Sequence, residues 1–94
     1  MKPSIGRIVH VLVDPATNNG ADVAPAVITR VWSDTCVNAR VLLDQEGILW
    51  LTSITLHADR DALDAFWAEN LAQLRAAGNT DDIKPTGAFW PPRV

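Results

Sequence analysis

The chain has 94 residues, which is enough for one small domain and excludes a second core. Because 48% of the residues are apolar, a buried core is expected and intrinsic disorder is disfavoured. Eight Lys and Arg against eleven Asp and Glu give a net charge of −3, which disfavours broad electrostatic binding to nucleic acid or to an anionic membrane.

Cysteine use and hydropathy indicate the compartment. Cys36 is the one cysteine of the sequence, so no internal disulfide can form and a reducing cytoplasm is expected. The N-terminal residues lack the apolar segment of a signal peptide, and no apolar run reaches the roughly 18 residues of a membrane span. We therefore expect a cytoplasmic protein that has no membrane partner.

Residues 4–57 are predicted to form a β-body of four strands. The predicted strands are 5–13, 24–33, 37–43 and 48–56, each rich in β-branched or large apolar residues. Turn-forming residues separate them: Asp14-Pro15 with Asn18-Asn19-Gly20, then Asp34-Thr35, then residues 44–47.

Residues 59–77 are predicted to form an α-helix, because their apolar residues recur with the helical period. Its apolar residues fall on one stripe, which consists of Leu63, Phe66, Trp67, Leu71 and Leu74. Asp59 is the expected N-cap, and Gly78-Asn79 are expected to end the helix.

The closing tail, residues 84–94, is too rich in proline for a helix and is predicted to add one short strand within residues 87–90. This order predicts one α+β domain over residues 1–94, mainly β with one helix. The expected architecture is a small SH3-like antiparallel barrel, or a bent sheet, of about five strands with the amphipathic helix inserted before the last strand.

Both faces of the predicted strands are apolar, so both need cover. The helix stripe can cover one face, and a second copy of the chain is the favoured cover for the other. The alternative is that barrel curvature and the tail complete the cover within one chain. The acids concentrate in residues 58–83, whereas the remainder has a slight surplus of cations.

The sequence offers little catalytic machinery. His10, His57 and Cys36 lack the paired spacing of a zinc site. There is no Gly-x-Ser-x-Gly motif and no glycine-rich phosphate loop. We therefore expect no metal, no cofactor and no enzymatic activity.

Polar side chains that interrupt apolar strands are the candidate ligand-binding residues. Arginine can bind phosphate or carboxylate, asparagine can recognise an amide or base edge, and tryptophan can stack on a flat ring. The predicted site for a small anionic, nucleotide-like ligand consists of His10, Arg30, Asn38, Arg40, Trp90 and Arg93. In the alternative interpretation Arg30 and Arg40 pair with Asp34, Asp44 or Glu46.

Four tryptophans in a chain without tyrosine are unusual. Trp67 is expected to pack in the helix stripe, and Trp32 and Trp50 are expected to belong to the core. Trp90, beside prolines and Arg93, is expected to contact a ligand or a neighbouring subunit.

The segments Ile5-Gly6-Arg7-Ile8-Val9-His10, Val31-Trp32 with Cys36-Val37-Asn38, and Phe89-Trp90-Pro91 occur in this order. In these segments the chain resembles a family of short bacteriophage and prophage proteins. The helix departs from that family, because many relatives have a shorter linker there. The resemblance implies a small phage protein in the cytoplasm of the infected bacterium. It does not indicate any particular activity.

Together these expectations favour a phage accessory protein without enzymatic activity. It would sequester a cyclic-nucleotide or ADP-ribose immune signal as a homo-oligomer, which makes it a counter-defence sponge. The alternatives are a module that inhibits a host protein, or a small component of the virion or associated with DNA. The modest number of cations disfavours nucleic acid as the partner.

Overall fold

A computed structural model describes residues 2–78 and 85–92 of the chain. Over these residues five strands and one α-helix follow the predicted order. The strands are β1 (Ile8–Leu12), β2 (Val23–Ser33), β3 (Cys36–Leu42), β4 (Ile48–His57) and β5 (Ala88–Phe89), and the helix α1 (Arg60–Ala76) precedes β5. A short 3₁₀ helix, Pro15–Thr17, lies between β1 and β2.

The strands form a closed barrel in the order β1-β2-β3-β4-β5. The barrel closes because β5 pairs with β1 on one side and with β4 on the other. This confirms the predicted fold class, with one correction: β4 and β5 run parallel, whereas all other pairs are antiparallel. A parallel pair needs a crossover connection, and α1 lies within the chain that links the two strands.

The barrel interior is filled by alternate residues of β1, β2 and β3 that are almost fully buried. They are Val9, Val11, Ala24, Ala26, Ile28, Val37, Ala39 and Val41. Alanines among the β-branched residues leave room for the opposite wall of a narrow barrel. Because successive side chains of a strand point to opposite faces, the residues between them point outward.

The predicted strand boundaries are correct to within one or two residues, except at the first strand. That strand was expected from Ile5, but β1 begins at Ile8. Gly6 has φ +91° and the N–H of Arg7 donates to the carbonyl of Ser4, so the chain turns just before the strand. As a result Ile5 is 73% exposed instead of packed.

Asn18 joins two loops at one end of the barrel. Its side-chain amide donates to the carbonyls of Ala21 and Val23, and its Oδ1 accepts from the N–H of Asp44. The side chain is buried and its hydrogen bonds are made, so the β1–β2 and β3–β4 connections hold each other in place.

The helix begins as predicted, with Asp59 as its N-cap accepting from the N–H of Ala62. Its apolar stripe is covered only in part. Leu63 is the buried helical residue, whereas Phe66 is 40% exposed. The reason is that α1 packs on the short ends of β4 and β5 and extends past them. The Nε1–H of Trp67 donates to the carbonyl of Thr86 at 2.6 Å.

His57 lies at the end of β4 under the helix, with its ring centroid 5.1 Å from that of Phe66. Burial lowers the pKa of His57 below 6.5 because it disfavours the charged imidazolium. As the pH falls below about 6.5, the unfolded chain takes up a proton that the folded chain resists, so stability falls with pH until the folded pKa is passed.

We therefore expect the free energy of unfolding to fall less between pH 7.5 and pH 5 in the His57→Gln variant than in the unmodified chain. Urea unfolding of both chains at several pH values measures this difference. Parallel pH dependences of the two chains would contradict this prediction.

Candidate binding face on the outside of the barrel

The outer surface of the barrel is covered by α1 near β5 but is open over β1, β2, β3 and the first half of β4. We call this surface the open face. Its outward residues are Ile8, His10, Pro25, Val27, Arg30, Trp32, Asn38, Arg40, Leu42, Ile48 and Trp50. Strand alternation places the residues of β1, β3, β4 and the first part of β2 there, because their neighbours point inward. In β2 the register shift between Ile28 and Arg30 turns Arg30 and Trp32 outward.

Strand register aligns Arg40 with a tryptophan in the middle of the open face. Its Cα is paired with that of Trp50 on β4 and with that of Val27 on β2. Cβ atoms of directly opposed residues lie about 5 Å apart, so the two side chains are neighbours. Trp50 is 56% exposed and Arg40 is exposed, so a cation and an aromatic ring are presented side by side to solvent.

A second arginine–tryptophan pair lies on the same face. The guanidinium carbon of Arg30 is 3.9 Å from the ring centroid of Trp32, which is stacking distance for a cation on an indole. The Trp32 ring is held in turn by its Nε1–H, which donates to Oδ1 of Asn38 at 2.9 Å. Trp32 is still 52% exposed, so an indole that is held in one orientation is available to a ligand.

Asn38 lies beneath the exposed side chains of the open face and accepts hydrogen bonds from two of its neighbours. Between Val37 and Ala39 the register with β4 shifts by one residue, so Thr52 and Ser53 together face Asn38. Ser53 has φ +52°, and its N–H donates to Oδ1 of Asn38 at 2.7 Å. Asn38 is only 8% exposed, so its carbonyl oxygen serves the bulge and Trp32 and is not available to a ligand. The prediction that Asn38 contacts a ligand is thereby limited to its Nδ2 group.

The charge of the open face is positive. Arg30 and Arg40 form no salt bridge with any other residue that the structure describes, so the alternative pairing with Asp34, Asp44 or Glu46 is not observed. None of the outward residues that define the face is an Asp or Glu. Two uncompensated guanidinium groups therefore favour an anionic partner.

The remaining predicted site residues are separated from this cluster. His10 is partly buried at the margin of the open face, where its ring is perpendicular to that of Phe89 and the two ring centroids are 5.6 Å apart. Trp90 is 8% exposed within the core, and the guanidinium carbon of Arg7 is 5.4 Å from its ring centroid. Arg93 lies outside the described residues.

The assignment of the tryptophans is thus reversed. Trp32 and Trp50, expected in the core, are more than half exposed, whereas Trp90, expected at the surface, is buried. Trp32 and Trp50 are the residues that the predicted site lacked. The signal for Trp50 was its pairing with Arg40, which requires the β3–β4 register and not the sequence period alone.

Among residues 2–78 and 85–92, no group of three or more His, Cys, Asp or Glu side chains is placed to hold a metal ion. None of the described helices has the length and apolarity needed to cross a membrane. Comparisons of the chain with protein-family models, curated proteins and solved structures found no match.

Proposed function

We propose that this protein is a non-enzymatic binding protein that captures a small anionic ligand of nucleotide type on the open face. The observation that carries the proposal is the pair of arginine–tryptophan units, Arg30–Trp32 and Arg40–Trp50, on a surface without a carboxylate. Stacking on an indole and ion pairing with a guanidinium are the two interactions that a base and its phosphate require.

The arrangement favours a ligand that joins flat rings to phosphates. An exposed indole gives stacking energy to any base, and base–aromatic stacking is worth about 1–3 kcal/mol. The guanidinium on Trp32 is already oriented by the ring beneath it, so less side-chain entropy is lost when it binds phosphate. A single-stranded polymer is the weaker candidate, because the whole chain is acidic and repels an extended polyanion.

We further propose that the ligand is bound between two copies of the chain. A small molecule on an open sheet face keeps one side in water, whereas tight sites bury most of the ligand. Ile8, Leu42 and Ile48 are 45%, 45% and 64% exposed around the arginines. A second copy, related by a two-fold axis, would cover them and supply the same two arginines to a cyclic dinucleotide.

The proposed biological role rests on the resemblance to phage proteins. A phage protein that binds a cyclic nucleotide or a cyclic ADP-ribose signal without converting it would lower the concentration of that signal in the cytoplasm of the infected bacterium. No group on the open face is needed as nucleophile, acid or base for this role. It requires tight binding and a sufficient number of copies.

Calorimetric titration with cyclic dinucleotides, cyclic trinucleotides and cyclic ADP-ribose isomers tests the proposal. For a ligand that binds, we expect Arg40→Ala to weaken binding by about ten-fold or more through loss of one charge-assisted contact. Arg75→Ala is the matched control, because it removes the same charge from the exposed last turn of α1. Its affinity should equal that of the unmodified chain.

Light scattering coupled to size exclusion, with and without ligand, tests the two-copy arrangement. A dimer that forms or strengthens with ligand is expected. Equal weakening by Arg40→Ala and Arg75→Ala would overturn the open face as the binding site. Failure of every nucleotide to bind would overturn the ligand class.

The exposed apolar residues also favour a second candidate function, the inhibition of a host protein bound on the same face. Tryptophan and arginine dominate the energetics of protein interfaces. A stable complex with one host protein that Trp50→Ala abolishes, in a chain that binds no nucleotide, would favour this function over the first.

A further inference from the structure

We infer that the open face selects the base of its ligand, and that the side-chain amide of Asn38 is the group that selects it. The preferred bases carry a carbonyl oxygen on the edge that meets Asn38, as guanine, hypoxanthine and uracil do, whereas adenine carries an amino group there. This inference rests on the proposed function and narrows it to cyclic nucleotides of such oxo bases.

The orientation of the Asn38 amide is fixed by two donors. Its Oδ1 accepts from Nε1 of Trp32 at 2.9 Å and from the backbone N–H of Ser53 at 2.7 Å. Both of these groups can only donate, so the oxygen and the nitrogen of the amide cannot be exchanged. An amide oxygen has two lone pairs, and both are engaged here. Oδ1 therefore has no capacity left to accept from an amino group of a ligand.

The Nδ2 group of the same amide can donate to a ligand. Within residues 2–78 and 85–92 no group accepts a hydrogen bond from it, and no fully buried side-chain nitrogen or oxygen lacks a partner. Although Asn38 is only 8% exposed, Nδ2 is therefore an atom that solvent reaches. Val37 and Ala39 on either side of it fill the core, so the Asn38 side chain lies on the outer side of the barrel.

Asn38 lies between the two arginine–tryptophan units. Its Cα is paired with that of Arg30, and Arg40 follows two residues later on the same face of β3. Because the Nε1 edge of Trp32 is bonded to Asn38, a base that stacks parallel to this indole brings one of its own edges to the amide. A base on Trp32 and a phosphate on Arg40 would together place that edge within reach of Nδ2.

The hydrogen-bonding groups at this place favour an oxo base. The guanidinium groups of Arg30 and Arg40 and the Nδ2 group of Asn38 all donate and cannot accept. Guanine and hypoxanthine offer them two adjacent acceptors, the carbonyl oxygen and a ring nitrogen. In adenine an amino group replaces the carbonyl oxygen and would face these donors. The hydroxyl of the exposed Thr52 can donate or accept, so it does not discriminate.

Three cyclic dinucleotides that share one sugar-phosphate backbone test the inference, namely those of hypoxanthine, guanine and adenine. In calorimetric titrations of the full unmodified chain, the hypoxanthine dinucleotide is expected to bind about ten-fold more tightly than the adenine dinucleotide, which carries the same charge. The guanine dinucleotide should bind about as tightly as the hypoxanthine one. In the ¹⁵N-labelled chain, the hypoxanthine dinucleotide should also shift the side-chain amide resonances of Asn38.

Three variants separate base selection from charge. Asn38→Asp keeps an acceptor for Trp32 and Ser53 but replaces Nδ2 by an oxygen. It is expected to lower both affinities through its negative charge and to remove the preference, because an oxygen accepts from the amino group of adenine. Asn70→Asp makes the same change on α1, outside the open face, and should leave both affinities unchanged. Arg40→Ala should weaken both dinucleotides by the same factor and retain the preference.

Equal binding of the hypoxanthine and adenine dinucleotides would overturn the inference. So would a preference that survives Asn38→Asp, or Asn38 amide resonances that do not move. The titrations and resonances of the unmodified chain decide the question even where Asn38→Asp does not fold. A chain that binds only adenine-containing ligands would keep the proposed function and overturn this inference, whereas failure of every nucleotide to bind would overturn both.

Discussion

Replacing Gly87 by alanine is expected to lower the free energy of unfolding by about 3 kcal/mol, close to half the stability of a marginal small domain. Gly87 has φ +132°, where an L side chain is strained. A Cβ at this position would lie 3.0 Å from Cδ1 of Leu63 and 3.1 Å from Oγ1 of Thr55. The side chains of Leu63 and Thr55 would therefore have to move aside, although Leu63 is fully buried where α1 meets the barrel.

Gly47→Ala separates the two contributions. Gly47 also has a positive φ, +104°, but nothing lies within 4 Å of the Cβ that alanine would add. Its expected loss is about 1 kcal/mol from backbone strain alone. Chemical denaturation of both variants measures the difference. Equal losses would show that the approach of Leu63 and Thr55 does not matter.

Asn38→Ala is expected to destabilise the fold by about 2–4 kcal/mol. The Oδ1 atom of Asn38 accepts from Nε1 of Trp32 and from the N–H of Ser53. Alanine would leave the Ser53 N–H beside a bulge without its acceptor and would release the Trp32 ring. Denaturant unfolding reports the first effect, and the rise in solvent quenching of tryptophan fluorescence reports the second.

Asn38→Asp tests whether the acceptor oxygen at position 38 is what stabilises the fold. A carboxylate keeps the acceptor for both donors, so it should restore part of the lost stability. Asn70→Ala is the control, because the Asn70 side chain donates to the Phe66 carbonyl within its own helix and its loss should have little effect. Equal stability of the alanine and aspartate variants would contradict a role for the acceptor. Because Asn38 is internal, its variants should reduce nucleotide binding through Trp32, whereas Arg40→Ala should reduce binding without loss of stability.

The elements that the sequence predicted well are those decided by local chemistry. The N-cap at Asp59, the start of α1 at Arg60 and the turn at Asp34-Thr35 each depend on neighbouring residues alone. The order of strands and helix was sufficient to predict a small barrel with the helix before the last strand. The early start given to the first strand was wrong because the left-handed turn at Gly6 opposed the β-branched residues around it.

The candidate site was predicted in part for a similar reason. Asn38 and Arg40 interrupt an apolar strand, and alternation alone indicates that they share an outward face. Arg30 has the parity of the buried Ile28, and it turns outward only because the register shifts between the two residues. The bulges opposite Asn38 belong to long-range pairing, so its internal role was not visible in the sequence. Tryptophan, being apolar and aromatic, fits a core and an exposed binding surface equally well, so composition did not distinguish Trp90 from Trp50.

The net charge of −3 and the four tryptophans were determined by the sequence, and so were the amphipathic helix and the alternating strands. Only the tertiary structure decided which tryptophans meet solvent and where the charges separate. Among the described residues β5 pairs with just two residues of β4, and Leu49 on the inward side of β4 is 40% exposed. The helix covers only the far side of the barrel, so Arg30 and Arg40 remain on a face without acids. Both outcomes depend on strand register and on strand length, which are set by contacts between residues far apart in the chain.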